Sequence, residues 1–141
     1  MSAPDACRSH VGRSGLRSRF RVEYVLVVCG AALLPWLVAL ACGGLPGTGG
    51  PEGNAVWIGL DTLEALGLVA TGLTALRGHP VRALTATATA TLLVVDAWFD
   101  TMTAAPGEEQ VWAAVMAVGA ELPLAAVCVR LAMRAAYGPR H

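Results

Sequence analysis

Charged residues are scarce in this sequence of 141 residues, in which Asp, Glu, Lys and Arg together make up 14% of the chain, against roughly 25% in an ordinary soluble domain. Lysine is absent, and ten arginines balance ten acidic residues to give a net charge of zero. This balance argues against a nucleic-acid-binding protein, because such proteins neutralise phosphates with a surplus of basic groups. With 55% hydrophobic residues and a mean hydropathy of +0.58, the composition instead indicates a lipid environment.

The sequence signatures of common catalysts are also missing. There is no Walker phosphate loop, no G-x-G-x-x-G fingerprint and no arrangement typical of a Ser-His-Asp or Cys-His catalyst. The histidines His10, His79 and His141 lie outside the long apolar stretches, so we expect no haem or His-ligated metal within a membrane. We therefore expect neither an enzyme nor a resident cofactor, with a divalent cation as the exception considered below.

Long apolar stretches are the strongest positive signal, because about 20 apolar residues in a helix are needed to cross a bilayer. Four such stretches are present, and they cover residues 22–42, 56–76, 83–103 and 111–131. The connections between them are short and rich in turn-forming residues. We predict an all-α fold, a bundle of four transmembrane helices within residues 22–134, preceded by a mobile Arg-rich arm (1–21) and followed by a short tail (135–141).

The arginines predict the orientation of this bundle. All ten lie before the first span, in the second connection or at the C-terminal end of the chain, which places them on one side of a four-span bundle. The other two connections carry Glu52, Glu108 and Glu109 and no arginine. Because positive residues in short loops stay in the cytoplasm, we predict a multi-pass protein of the bacterial inner membrane with both termini cytoplasmic.

The first apolar stretch has a second interpretation as a cleavable signal peptide. Basic residues precede it, and Ala39-Leu40-Ala41 stands before Cys42 as in a loose bacterial lipobox. A lipobox, however, usually has Leu where this chain has Ala39, and the apolar run is longer than the usual core of a signal peptide. We favour a retained helix, with removal of residues 1–41 as the alternative.

Five acidic residues inside the predicted spans are the most informative feature for function: Asp61, Glu64, Asp96, Asp100 and Glu121. A carboxylate near the centre of a bilayer costs on the order of 2.5 to 3.5 kcal/mol, and no basic residue lies at the same depth. Asp61 and Glu64 are three residues apart and Asp96 and Asp100 are four apart, so each pair shares a helical face. We expect all these carboxyls to face the bundle interior and to form an outward-facing site for protons or small cations.

The sequence leaves several functions open. Oxygen-only ligands suit a proton or a hard divalent cation such as Mg²⁺, Ca²⁺ or Mn²⁺ rather than zinc. Alternatively, protonated carboxyls hydrogen-bond between helices, and the chain is an accessory or structural subunit in a homo-oligomer or a larger membrane complex. A remote alternative is a metal-dependent lipid-phosphate enzyme, because Asp96 and Asp100 have the D-x3-D spacing of intramembrane prenyl and phosphatidyl transferases; the arginines, however, lie on the side away from these aspartates.

Two further features of the spans bear on the site. Pro35 and Pro123 lie well inside the first and fourth spans, where we expect them to kink the helices and to free a backbone carbonyl near Glu121 as a candidate cation ligand. The alternating Thr and Ala at residues 85–91 either line a polar path or allow close helix packing. We favour packing, with Gly67 and Thr71 offering the matching short contact.

The segment Asp96-Ala97-Trp98-Phe99-Asp100, together with Trp57, Asp61 and Glu64, resembles the pattern of small four-span bacterial integral membrane proteins of unassigned activity. This resemblance implies a four-span all-α fold in a bacterial membrane. It implies no mechanism.

Overall fold

A computed structural model of the chain describes residues 11–42 and 50–138. These residues are helical apart from short connections and contain no strand, so the all-α prediction is confirmed for the described part of the chain. The helices are α1 Val11–Ala41, α2 Gly50–Leu76, α3 Arg82–Thr103, α4 Glu108–Met116 and α5 Leu122–Tyr137. A π-helical segment, Ala117–Glu121, which we call the π turn, joins α4 to α5.

Within residues 11–42 and 50–138, three helical segments are long and apolar enough to cross a membrane. They are Val22–Ala39, Ala55–Leu76 and the run through the π turn, Glu108–Tyr137. The chain is therefore a multi-pass membrane protein by the length and composition of its helices. Helix α3 is not among these segments, because two aspartates and six threonines lower its mean hydropathy. The fourth span, 83–103, thus stays a prediction.

The helix ends differ from the predicted boundaries mainly at the N-terminus. Helix α1 begins at Val11, so residues 11–21, which we predicted as part of a mobile arm, form its first turns. Helix α5 runs to Tyr137 and includes the start of the predicted tail. The rest of the arm, most of the first connection and the last residues lie outside the described residues.

The helices pack in chain order around a shared core. Helix α1 packs on α2, α2 on α3, and α3 on α5. Helix α3 buries a single stripe at helical spacing that runs from Ala86 to Ala97, as expected for a helix with one inward face. The core contains side chains from all four long helices: Leu26, Leu68, Ala90, Leu93, Ala125 and Cys128.

Close approach of α1 to α2 depends on a glycine. A Cβ atom added at Gly30 would lie 2.8 Å from the carbonyl oxygen of Ala65 and 2.9 Å from a methyl carbon of Val69. Both distances are shorter than van der Waals contact, so no larger residue fits without moving the helices. Small residues at helix contacts are typical of membrane bundles, where dispersion contacts and hydrogen bonds replace the hydrophobic effect as the force between helices.

One end of the bundle gathers basic residues from separate helices. Arg82 at the start of α3 and Arg134 near the end of α5 line a cavity of about 60 Å³, together with Glu23, Ala75 and Leu131. The beginning of the apolar part of α1, the end of α2, the start of α3 and the end of α5 therefore lie at the same end of the bundle. This up-and-down arrangement positions the five acidic residues predicted to form the site, Asp61, Glu64, Asp96, Asp100 and Glu121, in the opposite half.

Candidate functional site

Three carboxyl groups meet where α3 faces the π turn. Asp96 and Asp100 lie one helical turn apart on α3, and Glu121 is the last residue of the π turn. One carboxylate oxygen from each residue lies within 4.8 Å of those from the other two. We call Asp96, Asp100 and Glu121 the acidic triad. Its three oxygens are close enough to contact one small cation, whose ligands lie at about 2.0 to 2.6 Å from its centre.

Helix α2 brings the two other acidic residues to the triad. Among the described residues, the charged groups that act on Glu64 are the carboxyls of Asp96, Glu121, Asp61 and Asp100. Asp100 is also the charged neighbour of Asp61. The structure therefore brings all five acidic residues singled out from the sequence into one group, which we call the carboxyl cluster. Its members come from α2, α3 and the π turn.

Three members of the carboxyl cluster are almost fully buried and incompletely hydrogen-bonded. Glu64, Asp96 and Glu121 have exposed fractions of 4%, 5% and 8%. Among the described residues, one buried oxygen of each has no hydrogen-bond partner: Oε1 of Glu64, Oδ1 of Asp96 and Oε2 of Glu121. Buried polar atoms are usually paired, because leaving one unsatisfied costs about 1 to 3 kcal/mol. These three oxygens therefore stay unsatisfied within the described part of the chain.

The cluster is graded in exposure. Asp61 and Asp100 are only partly buried, in contrast to Glu64, Asp96 and Glu121. Asp61 precedes Glu64 on α2 and Asp100 follows Asp96 on α3, so both lie nearer the bundle end that is remote from Arg82 and Arg134. The two partly exposed carboxyls therefore lie between the buried ones and that end of the bundle.

A residue that sequence analysis missed connects α1 to the cluster. The indole N–H of Trp36 donates a hydrogen bond to Oδ2 of Asp61, at a distance of 3.0 Å. Asp61 thus differs from Glu64, Asp96 and Glu121 in having a neutral donor from another helix. The sequence contained a usable signal, since an indole N–H within an apolar span needs an acceptor and the acidic residues were the candidates for that acceptor.

The π turn places Glu121 beside a helix irregularity. The N–H of Leu122 bonds to the carbonyl of Ala117 rather than to that of Val118, its acceptor in an α-helix. Pro123 has no N–H to donate to Gly119, so the ordinary ladder is interrupted at two successive positions. Pro123 thus lies beside an irregularity in the fourth predicted span, and α1 is continuous through Pro35; the kinks expected at both prolines stay predictions. The carboxyl of Glu121 meets those of Asp96 and Asp100, and the freed carbonyl as a cation ligand stays a prediction.

Threonines below the cluster hold α2 against α3, and the favoured packing role is confirmed. The hydroxyls of Thr71 and Thr89 are 3.0 Å apart and fully buried, and those of Thr74 and Thr85 are 2.9 Å apart. A Cβ atom at Gly67 would lie 2.7 Å from the hydroxyl of Thr89, so the predicted short contact is present. The exposed hydroxyls of α3 bond back to carbonyls one turn earlier, Thr87 to Ala83 and Thr91 to Thr87.

Comparison with family models, with curated proteins and with solved structures finds no match to this chain. The resemblance to small four-span bacterial membrane proteins accordingly depends on the sequence pattern alone. Function must be argued from the chemistry of the cluster.

Proposed function

We propose that this chain is a four-span protein of the bacterial inner membrane, with both termini cytoplasmic, that binds protons or small cations at the carboxyl cluster and passes them to and from the outer side. The observation that carries the proposal is the set of three buried and unpartnered carboxyl oxygens on Glu64, Asp96 and Glu121. Burying an uncompensated anion is costly. A mobile cation or a proton would neutralise these carboxylates, to whose three buried oxygens the described residues provide no hydrogen-bond donor.

The proposal includes α3 as the fourth span. With 22 residues, at a rise of about 1.5 Å per residue, the helix is roughly 33 Å long and matches a hydrocarbon core of about 30 Å. It packs between α2 and α5, which are part of the apolar segments. Its polar groups suit this position, because Asp96 and Thr89 are buried and its exposed Thr87 and Thr91 hydroxyls bond to their own helix.

A purely structural role, in which protonated carboxyls hydrogen-bond between helices, explains the cluster less well. If protonated carboxyls held the helices together, their oxygens would be paired, as the hydroxyls of Thr71 and Thr89 are. Each such interhelical hydrogen bond contributes only about 0.6 kcal/mol within a membrane. The deeply buried oxygens of the cluster lack those pairs. A lipid-phosphate enzyme is also disfavoured, because Arg82 and Arg134 lie at the opposite end of the bundle.

The test is flux in vesicles that contain the purified full-length protein. An imposed proton or sodium gradient, followed with an enclosed pH-sensitive or sodium-sensitive dye, should collapse faster than in protein-free vesicles. Glu64→Gln keeps the side-chain shape, removes one buried acid, and should reduce that flux to the protein-free rate.

Glu109→Gln is the matched control, because Glu109 is an exposed acid at the start of α4. It should leave flux unchanged. Equal flux for wild type and Glu64→Gln in a correctly folded protein would remove the proposal. Loss of co-purification with a membrane partner in Glu64→Gln, without any flux in the wild type, would instead support the accessory-subunit alternative.

A further inference from the structure

The acidic triad has the geometry of a divalent-cation site. One oxygen of each triad residue lies within 4.8 Å of those of the other two, and Asp96 Oδ1 and Glu121 Oε2 have no hydrogen-bond partner among the described residues. Two oxygens bound to one Ca²⁺ ion, each at about 2.4 Å from its centre, are at most about 4.8 Å apart.

The charge of the triad and the hardness of its oxygen ligands also favour a divalent cation. It supplies three carboxylates from two adjoining parts of the fold, and Glu64 faces Asp96 and Glu121 from α2. A proton compensates one of these charges, whereas a divalent ion compensates two at once. All ligand atoms are oxygens, which favours Mg²⁺, Ca²⁺ or Mn²⁺ over softer metals that select Cys or His.

The protein also separates Asp61 from the triad chemically. Its Oδ2 already accepts the indole N–H of Trp36, so part of its lone-pair capacity is used. The deeply buried oxygens of Asp96 and Glu121 have no such donor. The ligand set is therefore expected to be centred on α3 and the π turn, with Asp61 outside it.

We propose that Asp96, Asp100 and Glu121 bind one hard divalent cation, which joins α3 to the π turn in the half of the bundle remote from the arginines. This inference rests on the proposed function, since it names the cation class that the carboxyl cluster takes. Bound metal neutralises two carboxylates and stabilises the contact between α3 and α5.

Mn²⁺ alone is the probe, because loss of the free-ion signal in electron paramagnetic resonance counts bound ions directly. Purified full-length protein in detergent should bind about one Mn²⁺ per chain, and added Ca²⁺ or Mg²⁺ should displace it. Asp100→Asn removes a ligand at a partly exposed position and should weaken Mn²⁺ binding at least about 10-fold, the lower end of the loss expected when a metal site is disturbed. Glu121→Gln should do the same.

Two controls keep the result interpretable. Glu109→Gln removes one exposed acid from the same end of the bundle and should change Mn²⁺ affinity less than twofold. Mn²⁺ should also raise the melting temperature of the wild type but not of Asp100→Asn, whose folding is checked without metal.

The inference is overturned if the wild type binds no Mn²⁺, or if Asp100→Asn and Glu109→Gln lose affinity equally. Failure here differs from failure of the proposed function. Proton or sodium flux that depends on Glu64 but occurs without Mn²⁺ binding removes the divalent cation and leaves the proposed function in place, whereas absence of both Mn²⁺ binding and Glu64-dependent flux removes both.

Discussion

Buried and half-buried polar side chains between the described helices fall into two groups according to their partners. Thr71 and Thr89 pair with each other, and Asp61 pairs with the indole of Trp36. Glu64, Asp96 and Glu121 each keep a buried oxygen without a partner. The protein thus satisfies polar groups that connect its helices and leaves a buried oxygen unsatisfied on three members of the carboxyl cluster, which we assign to an exchangeable ion.

The structural group predicts a difference between two threonines of α3. Thr89→Val keeps the side-chain shape but removes the buried interhelical hydrogen bond to Thr71, and should lower the free energy of unfolding by about 0.6 kcal/mol and at most about 1.7 kcal/mol. Thr87→Val removes only an exposed bond within the helix and is the control. Equilibrium unfolding of the purified variants in mixed micelles measures both, and equal losses would contradict a specific role for the contact between Thr71 and Thr89.

At the scale of the helices, small residues set how closely the elements approach. Gly30 brings α1 against the backbone of α2 at Ala65, and Gly67 admits the hydroxyl of Thr89 from α3. Helix α3 has alternating threonines that point two ways, with Thr89 buried against α2 and Thr87 exposed and bonded to its own backbone. These contacts determine the rotation of α2 and α3, and hence the direction in which their acidic residues point.

Overfilling the contact of α1 with α2 should therefore destabilise the bundle. Gly30→Leu places a side chain where a Cβ already lies 2.8 Å from a backbone oxygen, and should reduce the free energy of unfolding by about 1 to 3 kcal/mol, the usual cost of overpacking. Gly59→Leu on α2 is matched to it, because a Cβ there meets nothing within 4 Å. Thermal unfolding of the two variants compares them, and an equally mild effect at both glycines would show that the close approach is not required.

At the scale of the whole molecule, the two ends of the bundle differ in charge. Arg82 and Arg134 line a cavity at one end, and the carboxyl cluster occupies the other half. The number of spans decides how this polarity relates to the membrane. Four spans place both termini on the arginine side, whereas three spans without α3 place them on opposite sides.

Reporter fusions test this arrangement in a bacterial cell. Green fluorescent protein fused after His141 should fluoresce and alkaline phosphatase at that position should be inactive, because positive residues keep that end in the cytoplasm. Alkaline phosphatase inserted at Pro106, between α3 and α4, should be active. A second insertion at His79, in the connection before α3, should be inactive. If alkaline phosphatase is active at both Pro106 and His79, or inactive at both, α3 does not cross the membrane.

The sequence predicted the helices well because helix formation in lipid is local. Each backbone N–H must bond within its own segment. The apolar runs at 56–76 and 83–103 therefore predicted α2 and α3, and the two helices end at the predicted residues, Leu76 and Thr103. The sequence was less informative about the start of α1, because neither polarity nor periodicity marks a helix boundary there. Residues 11–21 are rich in arginine and serine, yet they continue α1, whose first residue is Val11.

The membership of the carboxyl cluster followed from sequence, since acidic residues within apolar runs with no base at their depth are costly. The distances within it did not. That Asp96, Asp100 and Glu121 lie within 4.8 Å of one another depends on how α3 rotates against the π turn. That Trp36 donates to Asp61 depends on the approach of α1 to α2 across 25 residues of chain.

By itself, then, the sequence determined which segments become helices and which of their side chains are too polar to face lipid, since both follow from hydrogen bonding and transfer energies along a single segment. Tertiary structure alone decided which of those side chains meet and which oxygens stay without partners. The physical reason is that packing between segments sets the rotation and separation of the helices, at contacts such as Gly30 with Ala65 and Gly67 with Thr89. The residue pattern within one segment does not encode these contacts.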